Sequence, residues 1–492
     1  MTAPITDLKA GAMNPRTQDR EIDDRVVTRP VMRVWQASET ADVAEATLDV
    51  LRICGVEVRH PKALALLAAA GAQVEGTRVR FPAELVKSAL DTAPAHVTVC
   101  ARGSSLPLEL GRGLSYFGTG PDCLYVTPSA EESRRRAVVA DVLAMAELCQ
   151  RLPHIDFVMS MGLPEDTPTE TADLVQFAAM LTGTEKPLVI SSPRGGAPLR
   201  EMRQMAEMSG DAGSFACLVM SSPPLQIDGE TAEKLMVCAE LDIPVILAPA
   251  PAAGTTAPAT IPATVLVGNA EVMAGLVVNQ LARRGAPFVY GVGAGVMDMR
   301  TTVDAYCRPE HFLGNHAACD LGRAYGLPTW SYAGVSDSKI FDGQWALEAA
   351  ITTLLGGLSR ADLLHDVGYM ESGMQSSFET IVLGNELVGY VKRLYAGVPT
   401  DDEALALEEI RAVGPGGNHL ARRYTRDHRR DFWVSDLFDH SVHDRWEAGG
   451  SSTLRMRVGQ RTRELLETPR EFELPVGVPT LLMSLALLDT AR

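Results

Sequence analysis

The densest set of chemically capable side chains lies in two neighbouring stretches. The first reads Trp330–Ser331–Tyr332–Ala333–Gly334–Val335–Ser336–Asp337–Ser338–Lys339, with Asp342 and Gln344 just beyond. The second reads His365–Asp366–Val367–Gly368–Tyr369–Met370–Glu371–Ser372–Gly373. Aromatic residues are only 5% of the chain, so three rings among these acids are a concentration. Aromatic faces beside carboxylates suit a cationic ligand, held by ring quadrupoles and by charge. The candidate catalytic groups are therefore Asp337, His365 and Glu371. The candidate substrate-binding groups are Trp330, Tyr332, Lys339, Asp342, Gln344 and Tyr369. Blander readings stand beside these. Asp337 with Lys339 reads equally as a structural ion pair, and His365 beside Asp366 as a histidine satisfied at a strand end.

Other chemistries find little support. No G-x-S-x-G elbow, P-loop or H-E-x-x-H is present. His440 and His443 have a metal-like spacing, but no nearby cysteine completes a set, so no metal is expected. The eight cysteines are scattered without a C-x-x-C pair, which fits a reducing cytoplasm rather than a disulfide frame. A net charge of −17 and a pI near 5.1 argue against nucleic acid, which needs a basic face. The basic run from Arg422 to Arg430 is too short to change that. With 46% hydrophobic residues, the chain has ample material for a core. It shows neither a secretory h-region nor an uninterrupted apolar span, so no membrane is expected.

The positioning elements can be read from apolar runs. Eight recur after residue 112: Ser115–Gly118, Asp156–Met161, Pro187–Ser192, Ala216–Met220, Pro244–Leu247, Pro287–Gly291, Pro328–Ala333 and Asp362–His365. A helical pattern trails each run, as βα units require. Several begin at proline, which a strand tolerates at its first residue. The expected fold class is α/β, a (β/α)8 TIM barrel with an N-terminal α+β preface and a C-terminal helical extension. A doubly wound sheet is the rival, weakened by the lack of G-x-G-x-x-G after the first run. The expected divisions are a flexible arm at 1–37, the preface at 38–112, the barrel at 113–397 and the extension at 398–492. Helices are expected from Ser38 to Gly55, from Pro61, around Leu85, from Asp141 to Arg151, from Asn269 to Arg283, from Phe378 to Leu394 and from Glu403 to Val413. In a barrel, chemistry sits in the loops after the strands. Both stretches above follow the seventh and eighth runs.

Several segments then carry a resemblance. They include Ile53–Cys54–Gly55–Val56–Glu57–Val58, Leu152–Pro153–His154–Ile155–Asp156–Phe157, Gly268–Asn269–Ala270–Glu271–Val272 and Gly285–Ala286–Pro287–Phe288–Val289–Tyr290–Gly291. Both site stretches and Gly414–Pro415–Gly416–Gly417–Asn418–His419–Leu420 join them. In their order, from about residue 38 onward, these resemble the trimethylamine methyltransferase family. The closer likeness is to its branch without pyrrolysine, typified by glycine betaine–corrinoid methyltransferase. The resemblance implies a TIM barrel that docks a small corrinoid (cobalamin) protein and moves a methyl group from an amine to Co(I). This chain shows standard residues only, which implies a quaternary amine such as glycine betaine. Its leaving group is already a neutral amine, so displacement needs no acid on nitrogen. On this reading Trp330, Tyr332 and Tyr369 wall a cage, while Asp337, Asp342 and Glu371 supply negative potential. Gln344, His365 and Lys339 are candidates to hold a carboxylate tail. Gly120, Ser192, Ser222 and Gly254, small residues in barrel loops, are candidates to line the corrinoid's approach. The family also implies a homo-oligomer. A corrinoid-independent barrel enzyme and a noncatalytic betaine-binding protein remain the alternatives.

Overall fold

The computed structural model describes residues 30–129, 133–191, 194–469, 472–474 and 477–488. Ser192 and residues 1–29 of the expected arm lie outside them. At the centre is a parallel sheet of seven strands: β1 Tyr116–Phe117, β2 Leu188–Ser191, β3 Phe215–Val219, β4 Val245–Leu247, β5 Phe288–Gly291, β6 Thr329–Tyr332 and β7 Leu363–His365. Their spatial order is β1-β7-β6-β5-β4-β3-β2, so sequence neighbours pair and β1 joins β7. Between the two edge strands the 156–161 segment makes only single parallel bridges, Gly118 to Phe157 and Val158 to Leu188. Backbone bonds are few there, Asp156 N to Phe117 O, Val158 N to Pro187 O and Val189 N to Val158 O, and side chains add to them. Asp156 Oδ2 accepts from Phe117 N at 2.8 Å, and Thr119 Oγ1 bonds both Met159 N and Met159 O.

Eight helices lie between and after these segments: α1 Val139–Gln150, α2 Ala172–Gly183, α3 Ala197–Met208, α4 Gly229–Leu241, α5 Ile261–Ala282, α6 Pro309–Ala324, α7 Gly343–Ser359 and α8 Phe378–Tyr395. Their starts are encoded locally. Asp228 caps α4 through Thr231 N at 2.8 Å, and proline stands in the first turn of α3, α5 and α6. Proline there explains why α5 begins well before the expected Asn269. α5 is the one described helix long and apolar enough to cross a membrane, but 72% of its apolar window is buried. It packs on α4, α6 and three preface helices, Ala37–Asp49, Pro61–Ala69 and Ala83–Thr92.

Strand residues alternate between two packed faces, as a parallel sheet buried on both sides demands. Val189, Ala216, Leu218, Ile246, Val289, Trp330 and Leu363 face an interior that also holds Phe157 and Met159. Ile190, Cys217, Val219, Val245, Leu247, Tyr290 and Leu364 face the helices. The preface hairpin Val97–Val99 with Leu108–Leu110 fills the lower end of that interior. Asp362 fastens it, with Oδ1 accepting from Gly111 N at 2.5 Å and Oδ2 from Thr329 N at 2.8 Å. A second preface sheet, Val56–Val58, Arg78–Arg80 and Gln73–Glu75, gains Gln226–Ile227 from the loop after β3. Gly55 turns into it at φ 72°, where a Cβ would lie 2.4 Å from the Val79 carbonyl oxygen. In the extension, the helix expected at Glu403–Val413 is broken into Asp402–Leu405 and Leu407–Val413, because Ala406 is left-handed at φ 47°.

Candidate active site

With the lower end plugged, the open end of the sheet lies where the strands finish. The loops after β1 and β7 are zipped together there. Gln375–Ser377 pairs with Tyr369–Met370 on one side and with Tyr125–Thr127 on the other. Backbone strain gathers at the same end: Asp122, Met161, Asp366, Glu371 and Ser372 all have positive φ without being glycine. Such conformations persist where packing over-determines them, and they concentrate at functional sites.

The centre of this end is Asp366. Register places Tyr332 of β6 beside His365 of β7. The His365 ring stacks on Trp330, with centroids 4.3 Å apart and planes 16° apart. Phe157 lies 6.0 Å from Trp330. His365 Nδ1 is 2.5 Å from Asp366 Oδ1, but the angle is poor and neither atom has a well-directed hydrogen bond. The Asp366 side chain is only 3% exposed. Gly120 presses on it: a Cβ there would fall 2.4 Å from Asp366 Oδ1 and 2.2 Å from Tyr369 Cζ. The Tyr369 hydroxyl donates to the Pro121 carbonyl, and Trp345 Nε1 donates to the Tyr369 carbonyl at 3.0 Å.

Two further rings complete the wall. Tyr306 stacks on His311 at 5.1 Å, and His311 meets Tyr332 edge-on at 5.0 Å. Burial, and after it the nearby acids including Asp366, push the Tyr306, Tyr332 and Tyr369 phenols well above their ordinary range. Burial also lowers the His311 pKa, against the pull of Asp304, Asp337 and Asp366. The surroundings are thus dry, ring-lined and acidic. Among the described residues, no lysine or arginine pairs with Asp366. Tyr306 and His311 were not singled out in the sequence. They flank the Pro309 that opens α6, and nothing in their spacing marks them as facing β6.

The other expected site residues have local partners. Asp337 accepts from Tyr306 N and Cys307 N at 3.0 Å each and from Ser372 Oγ at 2.7 Å, which fixes where Tyr306 stands. Lys339 is exposed and donates to the Asp337 carbonyl at 2.8 Å, not to its carboxylate. Glu371 pairs with Arg134 at 3.0 Å, and that guanidinium lies 3.6 Å above the Tyr125 ring. Asp342 is the N-cap of α7, accepting from Gln344 N at 3.0 Å and Trp345 N at 3.1 Å. Gln344 sits on the exposed first turn of that helix and donates to Glu348 at 3.0 Å. Exposed Ser222 donates to Asp228 at 3.0 Å. At Gly254 a Cβ would fall 2.0 Å from Met299 Cε, and Met299 is itself exposed. The structure therefore gathers Trp330, Tyr332, His365, Tyr369 and Gly120 around Asp366. It sets Lys339, Asp342, Gln344 and Ser222 apart from that cluster.

Comparison with known proteins gives this arrangement its context. The family model described as trimethylamine methyltransferase (MTTB) matches residues 8–484. The chain belongs to the trimethylamine methyltransferase family. It is an enzyme, a methyltransferase. Trimethylamine methyltransferase of Desulfitobacterium hafniense is 27% identical over 449 residues, covering 89% of this chain and 90% of the relative. Glycine betaine methyltransferase of the same species is 28% identical, covering 89% and 93%. The crystal structure of Methanosarcina barkeri monomethylamine methyltransferase superposes with a TM-score of 0.50 at 12% identity over 88% of each chain, a likeness of fold.

One family-like stretch, Gly268–Val272, carries a second buried carboxylate. Glu271 accepts from Ser221 Oγ and, at 2.7 Å, from Leu225 N. Burial raises its pKa to about 7. It ties α5 to the loop that joins the preface sheet. One described group has the right atoms for a metal ion: Cys307, Asp337 and Glu348, each with a ligand atom within 4.8 Å of the others. Its carboxylates are already engaged, Asp337 by backbone N–H groups and Glu348 by Ser336 Oγ and Asp337 N. Burial pushes the Cys307 thiol far up, with both acids adding to the effect, so this set works as a hydrogen-bonded pin.

Proposed function

We propose that this methyltransferase takes a methyl group from a quaternary amine, glycine betaine or a related betaine, and passes it to the Co(I) of a corrinoid held by a partner protein. The seven strands and the two bridges at 157–158 are read as one closed (β/α)8 barrel, with the reaction at its open mouth. The free thiols throughout the chain fit a cytoplasmic enzyme.

The observation that carries the reading is Asp366, a buried carboxylate without a well-directed donor, set among Trp330, Tyr332, Tyr369, Tyr306 and the two histidines. A buried charge without a partner is costly, and a bound cation would remove that cost. A quaternary nitrogen has no N–H to donate. It is recognised by charge and by ring faces, worth about 2 kcal/mol or more per ring contact when desolvated. The names of the two relatives support an amine methyl donor.

In this mechanism Asp366 neutralises the ammonium, and the rings strip its water and fix its orientation. The Trp330–His365 stack steadies the carboxylate. Gly120 lets Tyr369 and Asp366 stand close together. Exposed Ser222 and Met299 over Gly254 leave parts of the rim open to a docking protein, whereas the space beside Gly120 is taken by Tyr369 and Asp366. When docked, the corrinoid supplies a Co(I) nucleophile that accepts the methyl group.

The test mixes the purified chain with a Co(I) corrinoid protein and glycine betaine, carnitine, proline betaine or choline. The expected result is methyl–cobalt absorbance with one of them. Tight betaine binding by calorimetry without transfer would turn the reading into a binding protein. Neither binding nor transfer with the whole panel would overturn it.

A further inference from the structure

The ring-lined wall around Asp366 is shut. Asp366, Trp330, Tyr332 and Tyr369 are each at most 5% exposed. A quaternary ammonium reaches Asp366 only if something moves aside. Most of the surroundings are firmly tied. Met161 N donates to the Gly120 carbonyl at 2.9 Å, the Tyr369 hydroxyl to the Pro121 carbonyl, and Asp122 N to Ser160 Oγ at 2.9 Å. Tyr306 is clamped through its backbone N–H by Asp337 at 3.0 Å.

One piece differs. Tyr369–Met370 and Gln375–Ser377 form an antiparallel hairpin whose tip is the 371–374 segment. No residue of this tip is buried, and Met374 is 42% exposed. Glu371, Ser372 and Gly373 are left-handed in succession, with φ of 49°, 51° and 86°. This curls the tip back over the rings. A Cβ on Gly373 would lie 3.0 Å from Tyr369 Cε2 and 3.7 Å from Tyr306 Cε2. Two successive non-glycine residues in that region are strained and stay there only while other contacts hold them. Those contacts are polar. Glu371 N and Ser372 N donate to the Ser338 and Ser336 carbonyls at 2.9 and 3.3 Å, and Tyr125 N to the Met374 carbonyl at 3.1 Å. Ser372 Oγ donates to Asp337 at 2.7 Å. Arg134 Nη1 stands 3.0 Å from Glu371 Oε2, and the two side chains are 38% and 26% exposed. A segment with polar ties and no apolar burial opens at the least cost.

We propose that the 371–374 tip is the lid through which the methyl donor enters, and that Glu371 and Arg134 are its latch, positioning residues rather than catalytic ones. This role presupposes Asp366 as the cation site proposed above. Arg134 is braced by the Tyr125 ring, 3.6 Å below its guanidinium, so it stays in place when the pair parts. Glu371, on the strained tip, is the moving half. A partly exposed ion pair is weak and is screened by salt, which suits a latch that must open at every turnover.

Two measurements on the full chain bearing Glu371→Gln test this. Without any ligand, hydrogen exchange over residues 366–374 should run about threefold faster than in the parent, with β4 and β5 unchanged. In stopped-flow mixing with glycine betaine, association should be about two- to fivefold faster than in the parent. The difference should shrink at about 1 M salt, where the parent's ion pair is already screened. Removing a negative charge lowers the pull on a cation, so electrostatics alone would slow association. A side chain that only touches the bound substrate would change dissociation and leave association alone. Unchanged or slower association in a chain that binds glycine betaine overturns the lid. If glycine betaine does not bind, the reading of Asp366 fails separately, and exchange decides the lid: an unchanged rate over 366–374 overturns it.

Discussion

Asp366 and Glu271 are both buried carboxylates at the strand-end side of the same sheet, and neither has a lysine or arginine partner among the described residues. Glu271 is surrounded by donors that never leave, a serine hydroxyl and a backbone N–H. Its work is finished once the chain folds. Asp366 has a badly angled imidazole and a ring of aromatic faces. On the proposed reading, the substrate's cation completes its pairing. Burial alone therefore does not separate an active acid from a scaffolding one. What separates them is whether the donors are permanent.

The sharpest way to break this comparison is to neutralise each acid in turn. Asp366→Asn should lower affinity for glycine betaine at least a hundredfold, about 2.7 kcal/mol, by titration calorimetry. Glu271→Gln should leave that affinity within twofold. Equal losses would mean that the two acids do the same work. Gly120→Ala comes next, because its Cβ would collide with Tyr369 and Asp366. A tens-fold loss of affinity is expected, with little change in melting temperature if the two side chains shift within the mouth.

The third test uses pH. Glu271 has its folded pKa raised from 4.5 to about 7. Between those values the native state holds a proton that the unfolded chain has released, so stability falls as pH rises through that window. The full cost, reached above pH 7, is about 3 kcal/mol. Glu271→Gln should therefore gain more over the parent at pH 8 than at pH 5 in thermal melts. A gain independent of pH would show that burial does not hold the proton there. Smaller still, Tyr369→Phe should cost about 1 kcal/mol through the lost bond to Pro121. Exposed Lys339→Ala should stay within about 0.5 kcal/mol in denaturant melts.

Much of the scaffold could be read from the residues. Seven of the eight apolar runs contain strands, four of them opened by proline, because short apolar runs fit a sheet buried on both faces. The second run makes only two single bridges with few backbone bonds, and Asp156 and Thr119 add side-chain bonds there, which an apolar count does not register. The rings on β6 and β7 were legible for the same reason as the strands. Asp342 looked like a site acid, but an aspartate ahead of Gly343–Gln344–Trp345 is also a helix cap, and the cap prevailed. Asp366 was visible as a companion of His365. Its importance comes from what surrounds it in space, and two members of that wall, Tyr306 and His311, arrive from the start of α6 and the loop before it, where no periodic signal marks them.

The crowded setting of α5 also bears on how the chain is made. This helix is apolar enough to pass for a membrane span. The three preface helices that cover it are encoded before it. As synthesis runs from the N-terminus, α5 emerges when part of its cover already exists, which shortens the time its apolar surface spends in water. The preface thus does two jobs with two parts: its helices cover α5, and its hairpin closes the lower end of the sheet.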